Sequence, residues 1–140
     1  IKEVAELMIT KRARSLVSEH RDNGDKLLII TATNSYITKP IGDLLGIDDL
    51  IGTDLEEVAG EFTGKVKGIP SFKEGKVDRL NQWLKQKELS FEGFERTFFY
   101  SDSINDLPLL NIVSNPVAAN PDKELEKQAS KNKWPIIFLR

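Results

Sequence analysis

Short apolar runs recur along this chain, and all but the last lead into a turn followed by a helical stretch. The runs are Leu27-Leu28-Ile29-Ile30, Thr97-Phe98-Phe99-Tyr100, Pro116-Val117-Ala118-Ala119 and Ile136-Ile137-Phe138-Leu139. A continuous run without polar alternation reads as a strand buried on both faces, and such strands belong to parallel sheets covered by helices. Strands that alternate with helices imply an α/β fold built on a doubly wound parallel sheet. That architecture places loops and helix N-termini along the carboxyl edge of the sheet, which is where ligands bind.

The helices announce themselves by spacing and by their stops. Ile1 to Arg21 repeats apolar residues at helical intervals (Val4, Leu7, Met8, Leu16, Val17) and ends at Asn23-Gly24. His20, the one histidine, falls in the last turn of that helix, where it complements the helix dipole and is given no catalytic part. A helix is expected from Tyr36 to Leu45, with Pro40 near its start and Gly46 closing it, followed by a short strand around Leu50 to Gly52. Val77, Leu80, Trp83 and Leu84 form one apolar stripe on a helix that begins at Lys76. Asn120-Pro121-Asp122 opens a polar helix to Lys131, and Pro135 favours a sheet edge for the last strand. Between Leu55 and Gly68 the residues alternate around a glycine (Val58, Glu61, Phe62, Thr63, Gly64, Lys65, Val66), so 55–72 reads as a β-hairpin or extended flap.

Composition narrows the partners. With 140 residues, 39% apolar and 30% charged, the chain can bury one core, and one domain is the default. Twenty Lys+Arg against 22 Asp+Glu give a net charge of −2 with no basic stripe, so neither nucleic acid nor an anionic membrane is expected as a partner. The apolar runs are far too short to span a bilayer, and no signal peptide is visible. The absence of cysteine removes disulfides, thiolate zinc sites and cysteine nucleophiles, and fits a cytoplasmic protein. The chain opens on Ile1 rather than methionine, as expected of a processed or truncated protein.

The chemistry-bearing stretch is Thr97 to Leu110, where a strand runs into a turn carrying Asp102 and Asp106 and then a helix with Pro108 in its first turn. Two carboxylates at the carboxyl end of a buried strand suit Mg²⁺, which takes one or two carboxylates, waters and a substrate phosphate. Alone, the same residues read as a helix cap (Asp106) and an Asx turn (Asp102). Two further features shift the balance. The strand at Lys26 ends in Thr31, whose hydroxyl and following backbone N–H groups could hold a phosphate oxygen, with the small Ala32 allowing close approach. Lys76, at a helix start, could bring positive charge to a phosphate and its attacking nucleophile. Taken singly, Thr31 and Asn34 are turn or cap residues and Lys76 a solvated lysine; the ordered set is much harder to reach by accident.

In that order the motifs resemble those of the haloacid dehalogenase superfamily of phosphohydrolases, in the branch similar to phosphoserine phosphatase (subfamily IB). Leu28-Ile29-Ile30-Thr31-Ala32-Thr33-Asn34 looks like its second motif, Gly75-Lys76-Val77-Asp78-Arg79-Leu80 like its third, and Tyr100-Ser101-Asp102-Ser103-Ile104-Asn105-Asp106 like its fourth. Ala32 and Ser101 each stand where the family usually has glycine. The resemblance implies a Mg²⁺-dependent phosphomonoesterase acting on a small phosphorylated metabolite. In it Thr31 and Ala32 would hold the phosphoryl oxygens, and Lys76 would neutralise charge on phosphate and nucleophile. Asn105 would contact the phosphate, Asp102 would bind the metal, and Asp106 would serve the metal by orienting a bound water.

The family's nucleophile, the first aspartate of an Asp-x-Asp-x-Thr/Val motif on the central strand, has no counterpart between Ile1 and Arg140. The resemblance therefore implies that 1–140 is the C-terminal portion of the core, with 1–24 leading back from a helical cap, and that by itself it is inactive. A sheet lacking its central strand would leave backbone N–H and C=O groups unpaired in a core. A segment upstream, or a second copy, is expected to fill the slot. Two rivals are a non-catalytic scaffold of the same fold and a phosphorylation-dependent receiver domain. The receiver is disfavoured because its acidic pair precedes its Thr and Lys in the chain.

Overall fold

The computed structural model describes residues 11–139, and of residues 11, 33–37 and 62–64 the backbone alone. The expected helical positions Val4, Leu7 and Met8 lie outside the described residues. Those residues divide into two compact units, 11–71 and 72–139. Among them no helix is long and apolar enough to cross a membrane.

The first unit begins with α1 (Lys11–Asp22). It stops where Gly24 takes up a left-handed φ of 80°, which glycine adopts without a Cβ penalty. Just past the helix end, Asp25 Oδ2 lies 2.6 Å from His20 Nδ1, so the histidine ring meets a carboxylate. Strand β1 (Ile29–Asn34) leads directly into α2 (Ser35–Leu45), and β2 (Leu50–Thr53) pairs with β1 in parallel. Two expectations shift here. Thr31 to Asn34 continue the strand rather than forming a turn, and because α2 starts at Ser35, Pro40 sits in the helix interior, where it removes one i→i−4 hydrogen bond.

Gly42 brings α2 close to the sheet: a Cβ there would stand 3.1 Å from the Ile47 carbonyl oxygen and 3.4 Å from Ile29 Cδ1. The Arg21 guanidinium donates to the carbonyls of Leu45 (2.6 Å) and Gly46 (3.1 Å), satisfying the open C-terminus of α2. Next come β3 (Leu55–Val58) and β4 (Glu61–Val66), an antiparallel hairpin. Its two turn residues, Ala59 and Gly60, both have positive φ (54° and 83°), the combination that matches strand twist in a two-residue connection.

The second unit holds α3 (Glu74–Gln86), β5 (Phe98–Ser101), the short α4 (Leu107–Leu110), β6 (Asn115–Ala119), α5 (Lys123–Asn132) and β7 (Ile136–Ile137). Strands β5, β6 and β7 form a parallel sheet in that order, with Pro135 entering the outer strand β7. Parallel neighbours require crossovers, which α4 and α5 provide. The core is Leu110, Ala118, Leu125 and Ala129, with Phe99, Ile104, Trp134 and Ile136 packed around it. Leu80 and Leu84, from the apolar stripe of α3, are buried as well. Their burial holds that helix in place and thereby sets where Lys76, in its first turn, can reach.

Candidate active site

The second unit brings together Lys76, Asp106 and Ser101. Lys76 Nζ lies 2.5 Å from Asp106 Oδ1, and both side chains are more than nine-tenths buried, at 8% and 9% exposure. A buried charge is tolerable only when paired and hydrogen-bonded, so each of these residues requires the other. The Ser101 hydroxyl donates to Asp106 Oδ2. Both oxygens of the Asp106 carboxylate are thus engaged from within the unit. The ring of Phe99 lies 6.0 Å from Lys76 Nζ and presents an aromatic face to the ammonium.

The loop that carries these groups is cross-braced. Ser103 caps a 3₁₀ turn over Ile104–Asp106, its hydroxyl accepting from the Asn105 N–H at 3.1 Å. The Ser103 N–H donates to Ser101 Oγ at 3.2 Å. From the β6–α5 connection, Asp122 N–H donates to the Asp102 carbonyl at 2.9 Å, and Asp122 Oδ2 accepts from the Ile104 N–H at 3.1 Å. Asp122 Oδ1 meanwhile caps α5 by accepting from the Leu125 N–H at 2.7 Å.

Asp102 and Asn105 are exposed, unlike Asp106. Among the described residues the Asp102 carboxylate has no hydrogen-bond or ion-pair partner, although its backbone is anchored. Nor do three or more His, Cys, Asp or Glu side chains gather among the described residues into a metal-holding group. A hard cation fits this donor set all the same: one open carboxylate on a fixed backbone, oxygen donors only, and an ion, Mg²⁺, that keeps much of its coordination as water and phosphate.

Thr31 and Ala32 belong to the first unit. Thr31 is half-buried and Ala32 exposed on β1. The pairing register shifts at this point: β1 advances from Ile30 to Asn34 while β2 advances only from Ile51 to Thr53. Such an irregularity interrupts the ladder.

Sequence reasoning undervalued two residues. Ser101 was legible only as a replacement for glycine, yet its hydroxyl is a partner of Asp106; a polar residue closing an apolar strand was the available signal. Asp122 was legible as a helix opener, but its second oxygen serves a loop far back in the chain, for which no local pattern exists.

Comparison with known proteins supplies the family. The chain is 49% identical over 133 residues to a histidinol-phosphatase of Neisseria meningitidis serogroup C (strain 8013), covering 94% of this chain and 60% of that protein. A crystal structure of a protein of unknown function from Bordetella pertussis Tohama I superposes with a TM-score of 0.91 at 45% identity, over 94% of this chain and 59% of the other. A probable phosphoserine phosphatase from Vibrio cholerae shares the fold, with a TM-score of 0.69 at 24% identity over 90% of this chain and 38% of the other. The chain thus spans less than two thirds of the length of these proteins. The model of the haloacid dehalogenase-like hydrolases matches residues 1–111, and the chain belongs to that family.

Proposed function

We propose that the complete protein is a Mg²⁺-dependent phosphomonoesterase and that this chain supplies the phosphate- and metal-facing part of its site. The observation that carries this reading is the buried Lys76–Asp106 pair beside the open carboxylate of Asp102 at the carboxyl end of β5. Phosphoryl transfer asks a protein mainly for positioning and charge stabilisation, and these residues are suited to both. Asp102 would hold the cation, which when bound neutralises charge on the transferring phosphoryl group. Asp106, its oxygens shared between Lys76 and Ser101, acts through hydrogen-bonded neighbours, while Lys76 directs positive charge at the phosphate. Thr31 and the backbone at Ala32 hold phosphoryl oxygens, and Asn105 contacts the phosphate.

The nucleophile is an aspartate outside residues 1–140. Its oxygen forms the bond to phosphorus as the ester P–O bond breaks, and the departing alkoxide takes a proton from a general acid. Water then attacks the aspartyl-phosphate and releases inorganic phosphate. We read 1–140 as the C-terminal portion of the core, with 55–72 as a flap. The substrate we favour is histidinol phosphate, supported by the 49% identity to the histidinol-phosphatase.

The test assays the complete protein against histidinol phosphate and phosphoserine, with Mg²⁺ and with chelator. Turnover should require Mg²⁺ and favour histidinol phosphate, and Asp102→Asn should abolish it. Near-normal activity of Asp102→Asn would sink the assignment. No turnover of any phosphomonoester by the complete protein would favour a scaffold of the same fold.

A further inference from the structure

We propose that Asp122 is a positioning residue that locks the loop from Asp102 to Asp106, over and above capping α5; the proposal rests on the phosphatase reading above. One side chain and its own amide reach three points. Oδ1 accepts from Leu125 N–H at the start of α5, Oδ2 accepts from Ile104 N–H at the start of the 3₁₀ turn, and Asp122 N–H donates to the Asp102 carbonyl. A helix cap needs only the first of these. The other two fall on either side of Ser103: one grips the backbone of the residue offered to the cation, the other grips the turn that carries Asn105 and Asp106.

The chemistry of the group matters. A carboxylate has two acceptor oxygens and can serve two N–H donors at once, whereas an amide has one oxygen and presents N–H donors on its other side. Asp122→Asn can therefore keep the α5 cap, for which Asn and Asp are equivalent, while placing a donor against the Ile104 N–H. Asp122→Ser likewise caps but is too short to serve both. In either variant Asp102 and its side chain remain chemically intact, so a change in cation affinity reports loop position together with the lost Asp122 charge, and hydrogen exchange at Ile104 separates the two. Residues that orient metal ligands from behind change affinity by roughly tenfold to a hundredfold when altered, and the lower end applies to a group acting through backbone.

The experiment compares the complete wild-type protein with Asp122→Asn, Asp122→Ser and Asp102→Asn. The first readout is amide hydrogen exchange without added metal. In both Asp122 variants Ile104 should exchange faster while Leu125 and the rest of α5 keep their protection. The second readout is Mg²⁺ binding by calorimetry together with the Mg²⁺ dependence of turnover: half-saturation should rise roughly tenfold, with the KM for the phosphate ester unchanged. Unaltered exchange at Ile104, or faster exchange spread equally along α5, would overturn the proposal, since Asp122 would then be a cap and nothing more. A failure of Asp102→Asn to lose Mg²⁺-dependent turnover would instead overturn the functional reading, whatever the Asp122 variants do.

Discussion

The carboxyl ends of β1 and β5 are built in opposite ways. At β1 the strand passes straight into α2, and what distinguishes its end is a break in the ladder: the register with β2 slips between Ile30 and Asn34. At β5 the ladder with β6 stays regular to Ser101, and what distinguishes its end is an inserted loop pinned by side chains. The first end offers backbone and a hydroxyl; the second offers buried charge. The difference teaches where stability and chemistry are coupled. A partly exposed hydroxyl in an interrupted ladder loses only its own hydrogen bonds when altered, whereas a buried ion pair removed by half leaves a charge with nothing to meet it.

The sharpest way to break this contrast is Asp106→Ala, which strands Lys76 in the interior. We expect a loss of about 3–5 kcal/mol in unfolding free energy, measured by chemical denaturation, together with loss of turnover. A loss below about 1 kcal/mol, the range of exposed pairs, would mean that the pair is solvated and that the two strand ends do not differ as argued. Thr31→Val, at the other end, should behave in the reverse sense. On the proposed function it removes one hydrogen bond to the substrate phosphate, so kcat/KM should fall by about tenfold to a hundredfold, with a smaller loss of stability than in Asp106→Ala. A large drop in stability with normal kcat/KM would assign Thr31 to the fold instead. The smallest effect is expected outside both ends, at Ala59 in the hairpin turn. There Ala59→Asn supplies the Asn-Gly pair suited to two positive φ values and should stabilise by about 0.5–1 kcal/mol; a destabilised protein would show that the turn is held by something other than its backbone preference.

Much of this arrangement could be read from the residues because its signals are local. Ile29-Ile30 of the first apolar run open β1, which starts two residues later than the run does, Phe98 to Tyr100 and Pro116 to Ala119 fall on β5 and β6, and the stripe through Leu80 and Leu84 is the buried face of α3. Pro108 does open a helix, but one of four residues, preceded by a 3₁₀ turn that the Ser103 cap stabilises. What stayed hidden depends on partners distant in the chain. The register shift between Ile30 and Asn34 is a property of the β1–β2 pair rather than of either strand, and the double role of Asp122 exists only once β6 lies beside β5. Pro40 was legible as compatible with a helix start, but α2 begins at Ser35, so the interior of the helix accommodates it.

The composition of β5 carries a consequence for handling the polypeptide. Its run Thr97-Phe98-Phe99-Tyr100 is aromatic, uncharged and free of proline, and Phe98 is 41% exposed. A segment of that composition, once local unfolding exposes it, is a template for cross-β stacking between molecules, because nothing in it repels an identical neighbour. Residues 1–140 produced by themselves should thus cloud at high concentration and moderate warmth, and a charged substitution at Phe98 would be the economical means of keeping them in solution.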